Sequence, residues 1–272
     1  MLSEIRKISS LLLSVAFSSI GFIASITVTV LAAREVSSNP LFVGFPNAVG
    51  VGGAVLGTRM IYLISKNNSQ LYALAFTFLI GAFGGAIMFY SLIIDSFVLL
   101  LFGAFILGIG QSATLQTRYA ASFVASEKFK ATALSLAVWF SVFGSVFGPR
   151  MVGSYSNFFE NIFNSELIVG YVIALVGMLF AASSLFIFTS KKSILRSPSN
   201  LESESNNQNS NKKNGNLLSL LLVLNHFTMV VIMSATPLHI QDIGETVQLV
   251  GIIISYHTLG MFLFSPILGN YV

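Results

Sequence analysis

Two histidines, His226 and His257, lie within long apolar runs of the 272-residue chain. A histidine near its reference pKa exchanges a proton close to neutral pH, so either could carry a proton through an apolar environment. Ionisable groups are costly at membrane depth and are candidates for function there. A lone membrane histidine can equally serve as a hydrogen-bonding packing residue. The sequence therefore predicts two candidate proton-coupling residues, with packing as the alternative role for each.

Four more polar side chains interrupt the apolar runs and could line a binding cavity. Asn47, Gln111 and Asn225 could contact a substrate or form hydrogen bonds between helices. Arg150 could attract an anionic substrate or pair with Glu160. Snorkelling of Arg150 to the membrane surface is the alternative to both.

The residue combinations typical of enzymes do not occur in this sequence. It has no cysteine and three scattered histidines, and no phosphate-binding loop or GxSxG elbow. We therefore expect no enzymatic activity, no metal site and no cofactor. Asp and Glu are absent from the first six apolar runs, so no carboxylate proton relay is visible in that part of the chain.

The elements that must position these residues are transmembrane helices. The chain is 54% hydrophobic and 9% charged, whereas soluble domains carry about 25% charged residues, which excludes a soluble enzyme. Apolar runs of this length should form helices, because lipid offers no hydrogen-bond partner to an open backbone. The sequence predicts an all-α polytopic membrane protein with eight spans, at 8–33, 40–64, 71–94, 97–117, 130–154, 167–190, 217–240 and 247–270.

The distribution of positive charge predicts the orientation. If the N-terminus is cytoplasmic, twelve of the fourteen Lys and Arg residues fall on the inside, and only Arg34 and Arg150 fall outside. Positively charged loops stay in the cytoplasm, so we expect a multi-pass protein of the cell membrane with both termini inside. On this topology Arg118 closes the fourth span, and we expect it to anchor the cytoplasmic surface.

One change in composition divides the chain. Residues 191–216 are rich in Ser, Asn and Lys and nearly free of apolar side chains. Such a segment buries too little surface to offset its ordering entropy, which predicts a flexible cytoplasmic linker. The predicted domains are a six-helix N-terminal half at 1–190, the linker, and two helices of an incomplete C-terminal half at 217–272.

An internal repeat relates the two parts. A shift of 207 positions aligns the first two spans with the last two, and Arg34-Glu35 with Gln241-Asp242. Because each copy has an even number of spans, the two copies cross the membrane in the same direction. Transporters built from two six-helix halves have this parallel arrangement. The identities found are Thr29 with Thr236, Leu31 with Leu238, Val43 with Val250, Gly44 with Gly251, and Gly53 with Gly260.

Residues 144–153, GSVFGPRMVG, resemble the fifth-helix signature of the major facilitator superfamily, in its drug:proton antiporter-like branch. The resemblance implies that the segment lies at the packing seam between two halves and is linked to antiport. Glycines three or four positions apart permit close helix contact, and a proline permits a bend. A generic small-residue packing face is the alternative. The matching residues are Gly144, Gly148, Pro149 and Gly153.

The loop after the eighth span is similar to another signature of this family, Gly-x-x-x-Asp-Arg-x-Gly-Arg. Gly269 matches its first glycine, and the aspartate would be residue 273. At the matching place in the first half, Tyr62 replaces the glycine and Lys66 the aspartate, while Arg59 keeps basic charge. The resemblance implies cytoplasmic gate loops containing Arg59, Lys66 and Gly269. Ala104 stands where the fourth-helix pattern has arginine, which counts against proton coupling.

The resemblance implies a major facilitator-type helical bundle that has twelve helices when complete, so we expect a chain truncated after the eighth. The expected function is secondary transport of a small lipophilic or amphiphilic molecule by alternating access, as efflux coupled to protons. The expected partners are that substrate, protons and the bilayer, with no nucleic acid and a monomeric state. A remnant that does not transport is one alternative, and a membrane enzyme or channel is another.

Overall fold

The described part of the chain folds into long helices joined by short turns. The computed structural model describes residues 2–37, 39–188 and 212–270, and these ranges contain no strand. Eight helices are long and apolar enough to cross a membrane, which confirms the predicted all-α polytopic fold. They are α1 (Leu2–Val36), α2 (Phe45–Asn67), α3 (Gln70–Ile93), α4 (Phe97–Val124), α5 (Lys130–Phe163), α6 (Ile168–Phe188), α7 (Lys212–Asp242) and α8 (Val247–Phe262). The last of these reaches membrane length, Val247–Ile267, together with the start of the short α9 (Ser265–Asn270).

Several helix boundaries differ from the predicted spans; α4, for example, continues past residue 117 to Val124. α2 begins at Phe45, because Pro40–Phe42 forms a separate 3-10 turn. α5 continues past residue 154 to Phe163, and its 34 residues make a helix of about 51 Å, longer than the roughly 30 Å of hydrocarbon in a bilayer. The eighth span breaks after Phe262, and its last residues form α9. Most of the predicted linker, residues 191–211, lies outside the described residues.

Serine caps set the start of two helices across tight connections. The Ser69 hydroxyl accepts a hydrogen bond from the Tyr72 amide at 3.2 Å, and the Ser96 hydroxyl accepts one from the Leu99 amide at 3.3 Å. Each cap satisfies a backbone donor that the first helical turn leaves open, which is worth about 1 kcal/mol. The short connections place α2, α3 and α4 side by side.

Glycines let α4 approach both α2 and α3 at backbone distance. A methyl group on Gly81 would lie 2.7 Å from the α-carbon of Gly110. On the other side of α4, Gly108 faces the backbone of Gly50, and Gly53 faces the carbonyl of Phe105. Small residues permit such close packing in lipid, where apolar burial drives little helix association. The position of α4 therefore depends on glycines in all three helices.

α1 is a buried central helix that contacts α4, α5 and α6. Its hydroxyl side chains are mostly satisfied within the helix, as in the bond from Thr27 to the Ile23 carbonyl at 2.8 Å. Two others reach a neighbouring helix. Ser14 donates to the Ala181 carbonyl of α6 at 3.2 Å, and Ser19 donates to the Ser141 hydroxyl of α5 at 3.4 Å. α1 thereby links the helices around it.

The close contact of α2 with α4 leads to a prediction about stability. In Gly108→Ala the added methyl group would collide with the Gly50 carbonyl, and overpacking of this kind costs about 1–3 kcal/mol. We expect a lower unfolding temperature in detergent, measured by intrinsic fluorescence during heating.

Gly260→Ala is the matched control, because the space beside Gly260 is open and alanine is the better helix former. We expect this variant to unfold at the parental temperature or above. Equal unfolding temperatures for the two variants would show that the α2–α4 contact is less close than described.

Candidate functional site

A cavity of about 360 Å³ lies between the first six helices and the last two. Its walls come mainly from α1, α2 and α4 on one side and from α7 and α8 on the other. We call the membrane face at which α1 begins the N face and the opposite one the far face. The cavity extends from Asn47 of α2, toward the far face, to Arg118 of α4 and Phe262 of α8, toward the N face. It thus occupies the middle of the helical bundle.

One stripe of α4 supplies the longest wall of the cavity. Residues three or four apart share a helix face, and the cavity-lining residues of α4 follow that spacing from Ala104 to Arg118. The stripe is apolar and small toward the far face. It becomes polar toward the N face, where Gln111, Thr114 and Arg118 follow one another. Its residues are Ala104, Leu107, Gly108, Gln111, Thr114, Leu115 and Arg118.

α7 supplies the opposing wall with a histidine and two methionines. His226, Met229, Met233 and Ser234 line the cavity at helical spacing. The Asn47 amide donates a hydrogen bond to the Ser234 hydroxyl at 3.1 Å, which joins α2 to α7 across the cavity. Two of the predicted polar residues, Asn47 and His226, therefore face the same space as Gln111.

Two polar groups of the α4 wall are buried without a hydrogen-bond partner in the described structure. They are the Nε atom of Arg118 and the hydroxyl of Thr114, one helical turn apart. The Arg118 guanidinium lies over the ring of Phe262, with its carbon 5.5 Å from the ring centroid. We expected Arg118 to anchor the membrane surface, whereas the structure places it against the cavity. No Asp or Glu is among the described residues that line the cavity.

Three of the predicted polar candidates lie away from the cavity. His257 and Asn225 are exposed on α8 and α7, although their neighbours Thr258 and His226 line the cavity. Arg150 is exposed on α5, and no salt bridge joins it to Glu160 among the described residues. On α7 and α8 the helical turn separates Asn225 and His257 from the cavity-lining stripe, whereas α5, which carries Arg150, contributes no described residue to the lining.

The residues of the fifth-helix motif divide between two contacts. Gly144 and Gly148 face the backbone of α1. Pro149 and Gly153 face α8, with the Pro149 carbonyl against Gly251 and the Gly153 α-carbon close to Gln248. The amide of Gln248 also donates to the Ser156 hydroxyl at 2.9 Å. The motif therefore lies where α8 packs on the first six helices.

At the N face, the two basic residues of the first predicted gate loop flank one tyrosine. The Arg59 guanidinium carbon is 5.5 Å, and the Lys66 ammonium nitrogen 4.8 Å, from the ring centroid of Tyr62. These are cation–π contacts, so Tyr62 holds both cations. Gly269, of the second loop, lies in α9.

At the far face an ion pair joins the ends of α1 and α7. Nη1 of Arg34 is 2.6 Å from an oxygen of Asp242 and 3.4 Å from the amide oxygen of Gln241. Arg34 and Gln241 are equivalent positions under the 207-residue shift. The contact joins the far-face ends of α1 and α7 and therefore lies at the far-face end of the seam between the first six helices and the last two.

Sequence reasoning missed Thr114, Ser234 and Phe262 as parts of the site and gave Arg118 another role. The α4 residues had a detectable signal, because Gln111, Thr114 and Arg118 have the spacing of one helix face. Nothing in the sequence identified Phe262 or Ser234. Their positions follow from how α7 and α8 dock on the other six helices.

Eight membrane-length helices around this cavity define an all-α polytopic membrane protein. The chain is similar to two Bacillus subtilis proteins named uncharacterized MFS-type transporters, where MFS stands for major facilitator superfamily. It is 28% identical to YdeG over 267 residues, which cover 94% of this chain and 62% of YdeG. It is 28% identical to YddS over 275 residues, covering 97% of this chain and 63% of YddS.

The chain thus spans somewhat less than two thirds of the length of these curated relatives. No family model matches the chain. No solved structure matches it either.

The far-face ion pair leads to a prediction about opening of the seam. An exposed pair is worth about 0.2–1 kcal/mol, so Asp242→Asn should raise the open population by about 1.5- to 5-fold. The chain has no native cysteine. Labelling of a single Thr29→Cys substitution in the cavity wall therefore measures how often the far face opens, with no contribution from other cysteines. We expect its labelling by a membrane-impermeant maleimide to accelerate in Asp242→Asn.

Glu245→Gln is the matched control, because it removes a nearby carboxylate for which the structure shows no salt bridge. Exchange of the two charges, Arg34→Asp with Asp242→Arg, should restore slow labelling. Equal labelling of Thr29→Cys with and without Asp242→Asn would contradict a role of this pair in holding the far face closed.

Proposed function

We propose that this protein is a secondary active transporter that moves a small lipophilic or amphiphilic molecule across the membrane by alternating access. The observation that carries the proposal is the cavity between the first six helices and α7 and α8. Transporters with internal repeats bind substrate at such an interface. The two similar Bacillus proteins, named MFS-type transporters, support the same function.

The contacts around the cavity suit a rocking motion. At the far face the seam is closed by an exposed ion pair, Arg34 with Asp242, which can break at small cost. Near Pro149 and Gly251 the helices α5 and α8 touch at glycine and proline, and toward the far face Gln248 adds a hydrogen bond to Ser156. A contact of small residues allows two rigid groups of helices to tilt against each other. We infer that α5 and α8 form the pivot.

The lining favours an amphiphilic substrate. Methionine and phenylalanine side chains offer an adaptable apolar surface, while Gln111, His226 and Arg118 supply a few polar contacts. This combination suits a molecule with a large apolar part and one polar end.

We further propose export coupled to protons, with His226 as the proton carrier. His226 and Arg118 are the ionisable groups among the described cavity-lining residues, and only histidine titrates near neutral pH. A proton on His226 would add a second positive charge beside Arg118, and the change in repulsion would couple protonation to substrate binding. His257, which is exposed and outside the cavity, is the natural comparison.

Transport is tested by substrate flux into proteoliposomes that contain the purified 272-residue chain and, where the reading frame extends further, the longer chain. Val51 lines the cavity and is half-exposed, so Val51→Trp should fill the entrance and reduce flux by about tenfold. Val55 is one turn further along α2, is exposed and lies outside the described lining of the cavity, so Val55→Trp is the matched control. Absence of saturable flux in any version, or ion current in place of flux, would contradict the proposal.

Proton coupling is tested by imposing a pH gradient across the same vesicles. We expect His226→Ala to abolish the acceleration of flux by the gradient, because no proton carrier remains in the cavity. His257→Ala should keep the full pH response. If His257 is required and His226 is dispensable, the proposal that His226 carries the proton is wrong, and the proton carrier lies outside the cavity.

A further inference from the structure

We propose that the ligand of this cavity is an amphipathic anion, whose carboxylate or similar acidic group binds Arg118 and Thr114 while its apolar body lies along the methionines. This inference rests on the proposed transport function and names the substrate class of the same cavity. It depends on the charge of the lining, on two unpartnered polar atoms and on the character of the apolar wall.

The fixed charge of the cavity is positive. Arg118 carries a positive charge near neutral pH, and no described lining residue is acidic. In a site of low dielectric constant an unopposed cation attracts anions strongly and repels cations. A cationic amphiphile would find no carboxylate here to pair with.

The guanidinium of Arg118 has a donor that is not used within the described structure. Its carbon lies over the ring of Phe262, 5.5 Å from the centroid, and an aromatic ring accepts no full hydrogen bond from the guanidinium. The buried Nε atom has no hydrogen-bond partner in the described structure. A planar carboxylate matches the edge of a guanidinium through two parallel hydrogen bonds.

Thr114 differs from eight other threonines in the described helices. Each of those eight donates its hydroxyl to the carbonyl four residues earlier, as Thr117 does to Ala113 at 2.7 Å. The Thr114 hydroxyl is buried, lines the cavity and makes no such bond. A buried polar group without a partner is unfavourable, so a ligand that accepts its hydrogen bond would be stabilised there. Because Thr114 lies one turn from Arg118, a single acidic group could contact both.

The rest of the lining fits the apolar body of such a ligand. Four of the eight methionines of the chain line the cavity, namely Met88, Met229, Met233 and Met261. Methionine is flexible and polarisable, and it accommodates apolar groups of different shape. The methionine wall therefore favours an apolar ligand body and does not require one particular shape.

Binding is measured on the full chain in nanodiscs of phosphatidylcholine, with three probes that share one ten-carbon body: decanoate, decanol and decyltrimethylammonium. We expect decanoate to bind about tenfold or more tightly than decyltrimethylammonium. Arg118→Gln should weaken decanoate about tenfold and leave decanol unchanged, since only the charge-assisted hydrogen bonds are lost. Arg118→Lys should retain part of the affinity, because it keeps the charge and loses the planar edge.

Two further variants separate a local role from a general one. Thr114→Val has nearly the same shape without the hydroxyl, and it should weaken decanoate by about threefold. Lys128→Gln removes an exposed cation outside the cavity and should leave decanoate affinity unchanged. Equal affinity for decanoate and decyltrimethylammonium, or an unchanged decanoate affinity in Arg118→Gln, would overturn the proposal.

The anion could be a free molecule or the headgroup of an anionic lipid, and phosphatidylglycerol in the nanodisc distinguishes them. If it displaces decanoate from the parental chain but has no effect in Arg118→Gln, the bound anion is a lipid. If it leaves decanoate binding unchanged, the anion is a free amphiphile. The transport proposal can fail independently of the anion site. If decanoate binds through Arg118 but never crosses the membrane, the transport proposal fails and the anion site stands. If decyltrimethylammonium alone shows saturable flux, transport stands and the anion site fails.

Discussion

The exclusion of water from the hydrocarbon core is the constraint on which the rest of this structure depends. Within lipid each polar group needs a partner inside the protein. The threonine and serine hydroxyls of the spans largely meet this need within their own helices, as Thr77 does with the Ala73 carbonyl. Where hydroxyls leave their helix they join neighbours, as Ser14 does with α6. The Thr114 hydroxyl and the Arg118 Nε atom depart from this pattern, because among the described residues they have no hydrogen-bond partner. Both belong to the α4 wall of the cavity, where a ligand could supply the missing hydrogen bonds.

A second consequence of the lipid environment is the reliance on glycine. Because apolar burial drives little association between helices in lipid, contact depends on close approach and good packing. α4 approaches α2 and α3 through glycines, and α5 approaches α1 and α8 through the glycines and proline of its motif. The two sets of contacts differ in position. The first holds α4, with its polar stripe, inside the first six helices. The second lies at the boundary with α8, where relative motion would have to occur.

The sequence predicted the eight helices correctly because the signal for a membrane span is local. A run of apolar residues defines a helix without reference to the rest of the chain. Helix ends were less well predicted, since α5 continues to Phe163 and the eighth span breaks before Ser265. Among the candidate cavity residues, Asn47, Gln111 and His226 line the cavity, whereas His257, Asn225 and Arg150 do not. All six were chosen on the same criterion, a polar side chain within an apolar run. That criterion does not show which face of a helix meets another helix, so it could not separate the two groups.

By itself, the sequence determined that this is a polytopic membrane protein, and it indicated where each helix lies along the chain and that α1–α2 and α7–α8 are related by a repeat. These properties follow from composition, hydrophobic runs and self-similarity. Only the tertiary structure decided that Arg118 faces a cavity under Phe262, that Asn47 bonds Ser234, and that Arg34 meets Asp242. Each of these contacts joins residues from different helices, most of them far apart in the chain. Their meeting depends on how the glycine-lined helix faces pack, and that packing is a property of the assembled bundle.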